Sequence, residues 1–158
     1  MTLRQSIKRM LPPPVLAAYR ELTAPLRPNA HRHAGAADAF DRIYHDNHWG
    51  AESVSGPGSE RRETEEIRAL LPDLIRRHGI TSILDAPCGD FSWMKLVDLS
   101  GCHYTGADVV LPLIESNNQQ YRSEAREFLC ADLRRDPLPR ADLILCRDCL
   151  IHLSFRDA

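Results

Sequence analysis

Ile83-Leu84-Asp85-Ala86-Pro87-Cys88-Gly89-Asp90-Phe91 is the stretch on which the reading of the chain turns. Ser82-Ile83-Leu84-Asp85 is a short apolar run that stops on an acid, as a strand buried on both faces does where it reaches solvent. Pro87 and Gly89 then mark a turn. Working outward, the unit recurs. Tyr104-Thr105-Gly106-Ala107-Asp108 reads as a second strand, Phe128-Leu129-Cys130-Ala131-Asp132 as a third and Leu143-Ile144-Leu145-Cys146 as a fourth, and residues of about 91–99 and 112–123 can be helices between them. Strands alternating with helical stretches at this spacing predict βαβ units, a mostly parallel sheet and a ligand at the carboxyl ends of the strands. Upstream, the pattern predicts a helix over 59–78. Ser59 is its candidate cap, Glu60 and Glu63 lie near its positive end, Ile67, Leu70, Leu71, Leu74 and Ile75 form an apolar stripe, and Gly79 is the stop.

Three predicted strands in succession end on an acid: Asp85, Asp108 and Asp132. Any one of them could simply begin a loop or cap a helix. The ordered set instead predicts a row of carboxylates around one crevice. At this point residues 83–91 resemble the first motif of the class I S-adenosylmethionine-dependent methyltransferases, an acid followed by a Gly-rich turn; a subset of that family has Asp-x-Pro-Cys-Gly here. The resemblance extends over about residues 38–158 and is specific for the class rather than the substrate. It implies S-adenosyl-L-methionine as cofactor, with Asp85 and Gly89 beside its methionine part, Asp108 accepting hydrogen bonds from both ribose hydroxyls, and Asp132 with Leu133 holding the adenine. Pro87 in the turn and Arg147 after the fourth strand complete the implied cofactor-binding set. Two departures stand out, because Pro87 and Phe91 occupy positions that are often Gly in the family, and Pro87 removes an N–H and fixes its φ.

The segment Cys146-Arg147-Asp148-Cys149-Leu150-Ile151-His152-Leu153 is where family members place residues facing the methyl acceptor. Asp148 and His152, at i and i+4, would share a face of a helical turn, and one of them is the candidate catalytic base. The plainer alternative is a His closing a turn and an acid pairing with Arg147. Cys146-x-x-Cys149 could be a redox dithiol or half of a zinc site, but no second paired motif accompanies it, and no metal is assigned. The five cysteines read mainly as small buried hydrophobes. Residues 49–59, from Trp49 to Ser59, are either a lid over the cofactor or a linker.

These readings combine into an α/β, three-layer Rossmann-like methyltransferase core with a mostly parallel sheet, incomplete at the C-terminus. Residues 1–37 form a basic, Pro-rich extension, and 38–158 a partial methyltransferase domain carrying strands 1–4 of the seven, in the order 3-2-1-4-5-7-6, that the resemblance implies. The fourth strand would then lie at an unpaired edge, and the chain alone is expected to self-associate and to be catalytically weak. The expected reaction is methyl transfer to a small-molecule, sugar or lipid-linked acceptor. A non-catalytic cofactor-binding module is the first alternative. A nucleotide-sugar or NAD-dependent enzyme is the second, and the missing G-x-G-x-x-G phosphate turn counts against it.

Charge narrows the partners further. The net charge of −2 hides an asymmetry: residues 1–34 hold six Lys or Arg against one acid, which leaves the remainder strongly acidic. The body therefore lacks the basic face of a nucleic-acid binder. Leu3, Ile7, Met10 and Leu11 beside Arg4, Lys8 and Arg9 could form a short basic helix, so residues 1–11 are a candidate for peripheral membrane contact, with a frayed tail as the alternative. No apolar run approaches the ~20 residues of a membrane span, and the N-terminus lacks a secretory h-region, which points to the cytoplasm. Oligomeric state is not readable from the sequence.

Overall fold

The computed structural model describes residues 53–153. The basic extension, the candidate membrane-contact helix, Trp49 and residues 154–158 lie outside the described residues. Within them the order is α1 (Glu65–His78), β1 (Ser82–Asp85), β2 (His103–Asp108), α2 (Leu111–Tyr121), β3 (Arg126–Cys130) and β4 (Leu143–Leu145), with single 3-10 turns at Pro57–Ser59, Met94–Leu96 and Leu150–His152. No helix among the described residues is long and apolar enough to cross a membrane.

The four strands form one sheet in the order β3-β2-β1-β4, parallel throughout. Ile83 stands opposite Tyr104 on one side and Leu143 on the other, and Gly106 stands opposite Phe128. Chain progress from β1 to β2 to β3 runs one way across the sheet. The step from β3 to β4 reverses it. Because crossovers are right-handed, the first two connections lie on one face and the third on the other. The packing follows this rule. Leu71 and Ile75 of α1, Phe91, Trp93 and Met94 of the first connection and Ile114 of α2 form one cluster with Ile83, Tyr104 and Phe128. On the opposite face Leu84 and Ala107 pack with Ala86 and, from the third connection, Ala131, Leu138 and Ala141. That third layer contains no helix among the described residues, and Pro137 and Pro139 account for it by removing donors that a helix needs.

Several local expectations need correction. α1 begins at Glu65, not Ser59, because Pro57–Ser59 closes a turn of its own and Glu60 leaves it in extended conformation. Its stop is as expected: Gly79 takes a left-handed φ of 61° and Ile80 N–H reaches back to Ile75 O at 3.1 Å. Its buried stripe is narrower than the sequence suggests, since Leu70 is 67% and Leu74 41% exposed. The helix expected at 91–99 is a single 3-10 turn. The third strand starts and ends two residues earlier than expected, so Asp132 lies beyond its end. Among the cysteines Cys88, Cys102 and Cys149 are buried, but Cys146, past the end of β4, is exposed.

Candidate functional site

The reversal of chain direction leaves a crevice between the carboxyl ends of β1 and β4, where open parallel sheets bind their ligands. A cavity fills this place. It is lined by Asp85, Pro87 and Gly89 of the turn after β1, by Asp108 at the end of β2, by Asp132 and Leu133 beyond β3, and by Arg147, Asp148 and His152 beyond β4. The nine residues singled out in the sequence thus share one cavity.

Asp85 ends β1 with only 2% of its surface exposed and accepts a 2.7 Å hydrogen bond from the Tyr104 hydroxyl. Burial pushes its pKa up to about 7, against the lowering effect of the Tyr104 bond; the nearby Asp108 raises it further and Arg147 lowers it. Asp108, 8% exposed, accepts from Gly89 N–H through Oδ2 and from Val110 N–H through Oδ1, each at 3.1 Å. Burial raises its pKa as well, with the backbone bonds opposing. Gly89 has a φ of 56°, which a glycine adopts freely, and its carbonyl accepts from the Asn117 amide of α2 at 2.8 Å. The turn is therefore fixed from both sides, by the acid of β2 and by α2. Gly106 of β2 is needed for the same packing, since a Cβ there would lie 2.8 Å from the Phe128 ring and 3.0 Å from Cys88.

The other two acids are engaged differently. Asp132 is buried, and its carboxylate is gripped by its neighbour Arg134, with Nε at 2.8 Å and Nη2 at 2.6 Å. Its backbone carbonyl accepts from Arg135 and Asp136, so it organises the turn after β3 as a loop acid does. Asp148 pairs with Arg147 at 3.1 Å, and the Arg147 guanidinium lies 5.9 Å over the Trp93 ring. Asp148 has a φ of 51°, outside any helix, while His152 closes the turn Leu150–His152. The helical face that i and i+4 spacing implied does not exist, and the two residues meet only as parts of the same wall. The Cys146-x-x-Cys149 pair straddles this loop, and burial pushes the Cys149 thiol up to about 11, opposite to the shift of a reactive dithiol. Among the described residues no group of three or more His, Cys, Asp or Glu is placed to hold a metal ion.

Three contributors escaped the sequence reading. Asn117 is a polar residue 2% exposed on the stripe that buries Leu113 and Ile114, and that misplaced polarity was a readable signal. Tyr104 looked like an ordinary strand aromatic, although a buried phenol needs a partner. Trp93, buried against the cavity, carried no signal beyond its size.

In charge, the lining presents four carboxylates against two guanidinium groups. The two arginines pair with Asp132 and Asp148, so Asp85 and Asp108 remain as a buried floor of two carboxyl groups whose burial resists ionisation until a cation offsets it. The Gly89 N–H, which a phosphate would use, is spent on Asp108.

No family model and no curated protein sequence matches the chain. Solved structures that resemble it in part include human N-acetylserotonin methyltransferase (ASMT) in complex with SAM, 19% identical at a TM-score of 0.37, with 75% of this chain and 40% of that one covered. Another is the plantazolicin methyltransferase BpumL in complex with SAH, 20% identical at a TM-score of 0.44, with 70% of this chain and 48% of that one covered. The chain spans less than half the length of either.

Proposed function

We propose that the chain is the cofactor-binding part of an S-adenosylmethionine-dependent methyltransferase of class I. The observation that carries this reading is the pair of buried carboxylates, Asp85 and Asp108, at the switch point of a parallel sheet whose turn after β1 has the N–H groups of Cys88, Gly89 and Asp90 already committed within the protein. Such a floor favours a cationic ligand rich in hydroxyls and disfavours a dinucleotide, whose pyrophosphate would meet two acids. S-adenosylmethionine fits these residues: its sulfonium and ammonium outweigh its one carboxylate, its ribose offers two hydroxyls and it has no phosphate.

In this reading Asp108 accepts from the ribose hydroxyls with the lone pairs its backbone donors leave over. Asp85, oriented by Tyr104, faces the cationic end. Leu133 supplies apolar surface for the adenine beside Asp132, and Pro87 and Gly89 shape the turn against which the ligand lies. When bound, S-adenosylmethionine supplies an electrophilic methyl group for in-line transfer. The chain's own contribution is then chiefly positioning, worth several powers of ten when reacting atoms are held in line. Arg147, held over Trp93 and paired with Asp148, fixes the wall beyond β4, and His152 at the rim takes a proton where the acceptor must lose one. A small-molecule, sugar or lipid-linked compound is the proposed acceptor class.

The test is methyl-labelled transfer by this chain to acceptors of those three kinds, with His152→Ala and Asp148→Asn beside the parent. An interaction made only in the transition state lowers kcat and kcat/KM together. The reading predicts losses of about tenfold or more in both for His152→Ala, with cofactor affinity changed by less than about twofold. Cofactor binding with no transfer to any acceptor would leave residues 1–158 by themselves as a binding module, and full activity of both variants would remove them from the chemistry.

A further inference from the structure

Residues 53–59 reach both sides of the crevice without belonging to the sheet. Val54, Ser55 and Ser59 line the cavity, so the segment contributes a wall that the sheet cannot. At one end it is tied to the turn after β1 through Asp90. One carboxylate oxygen of Asp90 accepts from the Ser53 hydroxyl at 2.8 Å and from Val54 N–H at 3.2 Å; the other accepts from Ser92 N–H at 3.1 Å. The Asp90 N–H in turn donates to Ser55 Oγ at 2.8 Å. Ser53, 2% exposed, also accepts from Ser55 N–H at 3.1 Å, and Gly56 N–H donates to the Ser53 carbonyl at 3.0 Å, so the segment is already curled before it meets the turn.

Both touching points are glycines. A Cβ on Gly89 would collide with the Ser55 hydroxyl, and one on Gly58 would collide with the Asp148 carboxylate and lie 3.9 Å from Arg147 Nη1. The segment is thus seated against the β1 turn on one side and the β4 loop on the other. Asp90 itself is not among the residues that line the cavity. Its carboxylate serves the segment and its own turn.

We propose that Asp90 is a positioning residue that latches residues 53–59 as a strap across the crevice and thereby sets how long a bound cofactor stays. The proposal rests on the cofactor reading above for its ligand, but the latch itself rests on the hydrogen bonds. Hydrogen bonds to a charged acceptor are the stronger kind, and two of them hold the strap to one carboxylate oxygen. Releasing them frees the wall nearest solvent while Asp85 and Asp108 keep their places. The effect should fall on dissociation, since contacts formed after encounter act mainly on the off-rate.

The experiment compares the parent chain with Asp90→Ala, Asp90→Asn, Ser53→Ala and, as a stability control in α1, outside the cavity lining, Ile75→Val. Amide hydrogen exchange reads the strap without any ligand. Stopped-flow binding of S-adenosylhomocysteine reads association and dissociation separately. Asp90→Ala should speed exchange at Val54 and Gly56 and raise the dissociation rate by about tenfold each, with association changed by less than about threefold. Asp90→Asn and Ser53→Ala should fall between it and the parent, and Ile75→Val should move neither readout. Unchanged strap exchange in Asp90→Ala overturns the latch, and faster exchange with unchanged dissociation overturns its control of residence. A parent chain that binds neither S-adenosylmethionine nor S-adenosylhomocysteine overturns the cofactor reading and the gating with it, while the exchange arm still reports whether Asp90 holds the strap.

Discussion

At the scale of single residues, Asp85 is the cavity acid that burial brings into the neutral range. Burial holds its pKa at about 7, above the 3.8 of a free side chain, so between those values the folded protein binds a proton that the unfolded chain has lost. The sign follows directly. Ionised Asp85 opposes folding, and stability of the unliganded protein falls as pH rises from about 4 to about 7, by roughly 4 kcal/mol at most. Asp85→Asn should flatten that slope to the share that Asp108 contributes, so that its thermal midpoint gains on the parent's as pH rises from about 5 to above 7. A parallel pair of midpoint curves would place the Asp85 proton elsewhere. A cationic ligand favours the ionised form, so its affinity for the parent should also rise over the same pH range.

Residue chemistry was legible in the sequence to different depths. Asp85 and Asp108 were visible because successive apolar runs that each stop on an acid point together to a ligand edge. Asp132 shared the pattern and lines the cavity, yet its carboxylate is gripped by Arg134, a choice between ligand and neighbour that spacing does not encode. Asp148 and His152 were paired by helical arithmetic, which fails because Asp148 adopts a left-handed φ.

At the scale of elements, β1 and β2 were read within a residue of their bounds, since both are central and buried. β3 is an edge strand, and Asn118 covers it by donating to the Phe128 carbonyl at 2.8 Å and accepting from its N–H at 3.3 Å. Arg126 and Glu127 therefore enter the strand despite their polarity, which shifted the reading. The alternation of strands with polar stretches suggests that about 91–99 can be a helix, but Phe91 sits at a φ of 59°, a conformation unfavourable for a bulky residue. Its burial holds it there: the ring is 0% exposed, 5.1 Å from Tyr104, 5.2 Å from Tyr121 and 5.2 Å from Phe128. Phe91→Ala should destabilise the fold by about 3–5 kcal/mol, the usual range for deleting a buried aromatic. Phe91→Gly should be the milder of the two, because glycine takes a positive φ without strain, reversing the order expected at an ordinary core position. Denaturant midpoints for the two variants test this, and alanine proving milder would mean that the backbone there is not strained.

At the scale of the whole molecule, β4 is a sheet edge among the described residues, with Ile144 63% exposed, and the loop that follows exposes Leu150 at 53% and Ile151 at 79%. Exposed apolar side chains on and after an edge strand invite association. This chain by itself should therefore self-associate at micromolar concentration, and Ile144→Lys with Ile151→Lys should shift it toward monomer in sedimentation or light scattering. A monodisperse parent would show that the edge is already protected. Neither substitution touches the floor of the cavity.

The central claim is that Asp85 and Asp108 form the floor of a site for a cationic, phosphate-free cofactor, and calorimetric titration of S-adenosylmethionine tests it most directly when run beside NAD on the parent and on Asp108→Ala. Charged hydrogen bonds to two ribose hydroxyls are worth roughly 1.5–3 kcal/mol each, so losing them should weaken binding by about tenfold or more. The account predicts saturable binding of S-adenosylmethionine by the parent, that loss in Asp108→Ala, and no heat from NAD; NAD binding in place of S-adenosylmethionine, or an unchanged affinity in Asp108→Ala, would contradict it.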